Sequence, residues 1–225
     1  GRILESQARK TESTHEKTGL LERLITLYGD EIGDNSRALR PMDQLLALQP
    51  DNAVALRRMV SLARTANDSK RLIQALNSLA PMLDRSDERK EVYLELAELA
   101  EHRQMRPKDA FFHLVAALKE DPADLELMSR MAGVADRASE VDTMLDVLES
   151  VFPVVAPEAR VAIPIALQIA RKAQTCDSDP ERSIRFFGEV LSREADHVES
   201  LEAMLANAEQ QTDVSAQISY RERLA

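Results

Sequence analysis

The chain has 225 residues, of which 44% are hydrophobic and 30% charged, and a formal net charge of −10 at pH 7. This acidity works against nucleic acid and anionic membranes as partners, since both call for a basic stripe, and the apolar runs fall well short of the ~20 residues that a membrane-spanning helix needs. Leu, Ala, Glu and Arg dominate, Gly is scarce and Trp absent, a composition of many amphipathic helices rather than of strands.

Residues 1–18, polar and mixed in charge apart from Ile3-Leu4, read as a leader or as the end of a preceding helix. From residue 19 to 225 the caps and apolar spacing predict helices in pairs. The first pair is Gly19 to Asp30 with Ser36 to Leu48, and the second Ala53 to Thr65 with Ser69 to Leu83. Asp87 to His102 with Pro107 to Lys119 and Asp124 to Arg137 with Glu140 to Val151 make the third and fourth. Pro157 to Ala173 with Pro180 to Arg193 is the fifth, and His197 to Gln210 with Asp213 onward the sixth, which looks incomplete. Asp34 to Ser36, Asp68-Ser69, Ser86-Asp87 and Ser139-Glu140 are expected N-caps. Pro41, Pro81 and Pro164 fall inside these helices, where each removes a hydrogen bond and is expected to kink the helix or move its end. Gly1 in place of Met and the abrupt end of the last helix suggest a fragment of a longer chain; with no export signal, a cytoplasmic setting is weakly favoured.

The pairs repeat. Segments starting at Arg37, Asp109 and Arg182 align, each with a small residue near its start (Ala38, Ala110, Ser183), an apolar stripe, and a turn at the same offset (Pro50, Pro122, Ala195). With fainter turns near Ser86 and Pro157, the markers are spaced by 36, 36, 35 and 38 residues. A unit of this size holding two short helices cannot bury its apolar faces alone and must stack on its neighbours.

Leu24, Tyr28, Gly33-Asp34, Ala38 and Pro50 in the first unit, Tyr93, Leu96-Ala97, Ala110 and Pro122 in the third, and Met128 and Met131-Ala132 in the fourth resemble the tetratricopeptide repeat (TPR). The resemblance runs from about Gly19 to the C-terminus, although Gly-Asp is lost after the first unit. It implies an all-α, right-handed superhelical solenoid of antiparallel helix pairs with about five to six repeats. It also implies a non-enzymatic scaffold that binds a protein or peptide in the concave groove lined by the first helix of each pair. Ala38, Ala97, Ala110 and Ala132 are candidates for the close contacts between helices.

No chemistry of another kind is written into the chain. The four histidines, His15, His102, His113 and His197, are far apart and away from the lone Cys176, so neither a metal site nor an internal disulfide is indicated. There is no nucleophile elbow and no phosphate-cradling glycine motif, and no cofactor is expected. Phe111-Phe112, Phe186-Phe187 and the eight methionines are read as core, and Glu95 with Glu98 as a solvated face.

Burying Leu56, Met59, Val60 and Ala63 of the second pair leaves Arg57, Arg58, Ser61 and Arg64 toward the groove, a basic stretch. Burying Tyr93, Leu96, Ala97 and Ala100 of the third leaves Glu91, Glu95, Glu98 and His102, an acidic one. The expectation is a groove of two electrostatic halves; its plain competitor is that the arginines pair with the neighbouring glutamates. A further expectation is self-association through the solenoid ends, where Ile218 and Leu224 would lie uncovered.

Overall fold

The computed structural model describes residues 1–175 and 180–225; Cys176 lies outside the described residues. They form thirteen α-helices and no strand. The chain falls into two compact units, Gly1–Arg106 and Pro107–Ala225.

The first unit contains α1 (Arg2–Lys10), α2 (Thr14–Thr26), α3 (Asn35–Leu48), α4 (Ala53–Thr65), α5 (Ser69–Leu79) and α6 (Ser86–Glu98). Its core is the set of stripes that a 3.6-residue period puts on one side of each helix, with Leu21, Leu24, Met42, Leu56, Ala63 and Leu76 almost free of solvent. Leu56, Met59, Val60 and Ala63 are buried as expected, and so are Leu96, Ala97 and Ala100, whereas Tyr93 is only partly buried. α1 is held to this core by the buried Ala8 and by a polar clasp. Tyr28 Oη, at the end of α2, donates to Glu5 Oε1 at 2.7 Å, Arg37 Nη2 donates to Tyr28 Oη at 3.3 Å, and the Arg37 guanidinium lies 4.4 Å from the centre of the Tyr28 ring.

The second unit contains α7 (Pro107–Glu120), α8 (Leu125–Ala138), α9 (Val141–Val155), α10 (Ala159–Thr175), α11 (Pro180–Arg193), α12 (Val198–Gln210) and α13 (Val214–Leu224). Phe111, Leu114, Met131, Met144, Ile165 and Phe187 form its interior. Phe152 of α9 meets Phe186 of α11 edge to face, 5.3 Å between ring centres. Ala38, Ala97 and Ala110 are completely buried and Ala132 nearly so, in keeping with close helix contacts.

The repeat is written most plainly in the backbone. Left-handed residues stand at Gly33, Asn67, Met105, Ser139 and Thr212, each between the two helices of a pair. The first four are spaced by 34, 38 and 34 residues. Such a residue lets the helix end fold back on its own last carbonyls. The amide of Asp68 donates to Ala63 O at 2.9 Å, that of Glu140 to Ala135 O at 3.0 Å, and that of Asp213 to Ala208 O at 2.9 Å. In three of these turns the next residue is an aspartate that caps the following helix: Asp34, Asp68 and Asp213 accept from the amides of Arg37, Arg71 and Ala216, each at 3.0 Å. At the turns between pairs Asn52 and Asp124 do the same work, and His197 takes it over for α12 through Nδ1.

Several boundaries differ from expectation for local reasons. α2 begins at Thr14, five residues earlier than read, because Ser13 accepts from the Glu16 amide at 3.4 Å. α5 stops at Leu79, where Pro81 turns the chain into a single 3₁₀ turn, Ala80–Met82. α9 runs on through Pro153 to Val155. Ser139 closes α8 in a left-handed conformation instead of capping α9, and Ser86 and Asp87 sit within the first turn of α6. Phe112 is 45% exposed and Met105, on its turn, 79%, so neither belongs to the core.

α2 and α6 both end in a π turn, Leu27–Glu31 and Leu99–Arg103. The wider turn closes with Ile32 donating to Leu27 O at 3.0 Å and Gln104 to Leu99 O at 3.1 Å. These two helices flank α4.

A double cleft around α4 as candidate interface

α2, α4 and α6 are the first helices of three successive repeats, and each leaves its charged side away from the core. Two clefts open on that side. One, of about 290 Å³, lies among α2, α3 and α4, with Ile25, Met42, Leu45 and Ala55 as its floor and Glu22, Asp30 and Arg58 on its rim. The other, of about 320 Å³, lies among α4, α5 and α6, floored by Val60, Leu76, Leu79 and Val92 and rimmed by Arg57, Arg64, Glu88, Glu91 and Glu95. α4 is the wall between them. Arg57 and Arg58 are adjacent in sequence and about 100° apart around the helix, so one serves each cleft.

The rims are braced by ion pairs. Arg57 Nη2 donates to Glu88 Oε2 at 2.8 Å, and Arg64 Nε to Glu95 Oε1 at 2.8 Å, its second nitrogen reaching Glu95 Oε2. Both pairs span 31 residues. On the other side Arg58 pairs with Asp30, which the π turn at the end of α2 carries toward α4. The hydrogen bond to Glu95 holds the Arg64 guanidinium above even its ordinary high pKa. The side chains stay largely wet, Arg57 at 57% and Glu88 at 33% exposed, so each pair contributes little to stability and serves mainly to set shape.

Of the eight residues expected in a groove, Arg57, Arg58, Arg64, Glu91 and Glu95 line the two clefts. Ser61, Glu98 and His102 are exposed on the same helices but line neither. The basic and acidic halves are therefore not open fields: Arg57 and Arg64 of one helix are neutralised by Glu88 and Glu95 of the next, and Glu95 is a partner of Arg64 and not simply solvated. Glu88 and Asp30 were missed by the sequence reading. The common 31-residue offset of Arg57 from Glu88 and of Arg64 from Glu95 is the signal that could have found the first.

Similar ties join the first helices of the second unit. Lys172 Nζ of α10 donates to Asp136 Oδ1 of α8 at 2.6 Å, and Arg171 Nε to Glu199 Oε1 of α12 at 2.6 Å, a bond that lowers the Glu199 pKa. Among the described residues no cluster of three or more His, Cys, Asp or Glu is placed to hold a metal ion, and no helix is long and apolar enough to cross a membrane.

No family model matches the sequence, and no curated protein sequence does. The chain is similar in structure to TPR proteins. A crystal structure of MamA protein aligns with 83% of this chain and 96% of its own, at a TM-score of 0.39 and 16% identity. YrrB, described as a TPR protein with an unusual peptide-binding site, aligns over 88% and 95% at a TM-score of 0.36 and 14% identity. The C-terminal part of a TPR repeat-containing protein from Cytophaga hutchinsonii aligns over 90% and 92%, at 0.38 and 12%.

Proposed function

We propose that this chain is a non-catalytic interaction scaffold whose α2–α4–α6 side binds a segment of another protein. The observation that carries the reading is the pair of clefts separated by α4. Each has an apolar floor, and each carries on its rim an ion pair between helices that belong to different repeats. Apolar floors supply affinity, while fixed charges on the rim set encounter rate and register. The exposed Val54, 79% accessible at the lip of the first cleft, adds apolar area with no cover in the chain itself.

Site-specific photocrosslinking tests this. A photoreactive residue at Ser61, exposed on α4, should capture one partner segment that mass spectrometry maps to a short sequence. The same residue at Gln74, which lines a separate hollow shared by α3, α4 and α5, should not. Equal capture from both positions, or capture from Gln74 alone, would remove the binding surface from this side of the molecule.

A further inference from the structure

We propose that the double cleft takes an extended peptide with two apolar side chains three residues apart, flanked by lysine or arginine. This rests on the binding surface proposed above and adds the chemistry of the occupant. Two features lead to it.

The first is spacing. The clefts lie on opposite sides of one helix, so their centres are separated by roughly a helix diameter, about 10 Å. A polyproline-II segment rises about 3.1 Å per residue with three residues per turn, so side chains at i and i+3 leave the same side about 9 Å apart. A volume of about 290 or 320 Å³, open to solvent on one side, suits a single large aliphatic or aromatic side chain in each cleft.

The second is charge. The rims carry Glu22 on the first cleft and Arg57 and Glu91 on the second. Arg57 is engaged by Glu88. Among the described residues no side chain pairs with Glu22 or Glu91, both of which are exposed, one on the outer rim of each cleft. Once the internal pairs are counted as neutral, these two carboxylates are what the rims offer to an incoming chain. A peptide with a cation just outside each apolar anchor answers both, and an acidic peptide meets repulsion at both ends.

The test is a display selection of random twelve-residue peptides on the full chain, followed by fluorescence anisotropy with the enriched peptides. Enrichment of apolar pairs at i and i+3 with Lys or Arg outside them is the expected result. Replacing either anchor by Ser should weaken binding ~10-fold or more, as expected for losing one buried aliphatic group. The rim variants Glu22→Lys and Glu91→Lys should each weaken it about fivefold at low salt, with the difference vanishing at high salt. Peptides that crosslink from Ser61 but are acidic, or carry anchors seven residues apart as a helix would, overturn this inference and leave the binding surface standing. Peptides that bind but never crosslink from Ser61 overturn both.

Discussion

Arg64 and Glu95, 31 residues apart, meet through two parallel N–H···O contacts that join α4 to α6 across a repeat boundary. At 54% and 26% side-chain exposure the pair is too wet to hold the helices together; the buried Val60, Leu76 and Leu96 do that. A double-mutant cycle with Arg64→Ala and Glu95→Ala should give a coupling of ~0.3–1 kcal/mol that falls toward zero in 0.5 M salt. A coupling several times larger, insensitive to salt, would mean that the pair is buried in solution.

The alanines matter more. Ala97 is completely covered where α6 approaches its neighbours. Ala97→Leu should cost ~1–3 kcal/mol by overpacking, read as a lower midpoint in urea, whereas Gln74→Leu on the exposed side of α5 should change it by less than ~0.5 kcal/mol.

Asp68 links stability to pH. Its carboxylate accepts from the Arg71 amide and from the Arg71 side chain, and the backbone bond, first of the two, lowers its pKa below the ordinary carboxylate value. The sign follows: the contribution is fully present above the unfolded value near ~4 and is lost as pH falls through the lower folded-state value. Asp68→Ala should cost ~0.5–2 kcal/mol at neutral pH, and its difference from the parent should shrink as pH drops below about 4. Asp68→Asn keeps an acceptor for the amide and should recover part of the loss. A pH-independent difference between parent and Asp68→Ala would assign the effect to packing.

Tyr28→Phe removes the hydroxyl that ties α1 to the end of α2. The Glu5 carboxylate, held below its usual pKa by that hydrogen bond, loses the partner. The expected cost is ~0.5–1.5 kcal/mol, and amide exchange in α1 should rise more than in α4. Uniform change across both helices would contradict a local clasp.

Much of this architecture was legible from residue spacing. Apolar stripes located twelve of the thirteen helices, and Pro50, Pro122 and Pro157 marked the turns between pairs. The turns within pairs were harder to read, because Asn67, Ser139 and Thr212 adopt the left-handed form that Gly33 signals openly. Asn67-Asp68 and Thr212-Asp213 are chemical equivalents of Gly33-Asp34, so the motif that looked lost after the first repeat persists with a different first residue. The π turns left no trace in the pattern, since they shift the hydrogen bond by one residue without changing which side chains are apolar. α1 is hard to tell from a leader by its sequence because its one buried residue is Ala8, too small a signal in nine positions.

At the candidate site the arginines were visible but their partners were not. Helical periodicity shows which side chains leave the core, and it assigns Arg57, Arg58 and Arg64 to the wet side of α4. Which neighbour each meets depends on the offset between repeats, a tertiary quantity that placed Glu88 and Glu95 opposite Arg57 and Arg64.

The binding surface itself is tested most directly by measuring the affinity of the crosslinked partner segment for the parent chain and for Arg57→Glu, Arg58→Glu at two salt concentrations. That variant breaks the pairs to Glu88 and Asp30 and turns both rims more negative. The predicted result is a change in affinity of at least about fivefold at low salt that collapses at high salt. An affinity and salt dependence identical to those of the parent chain would contradict binding at the double cleft.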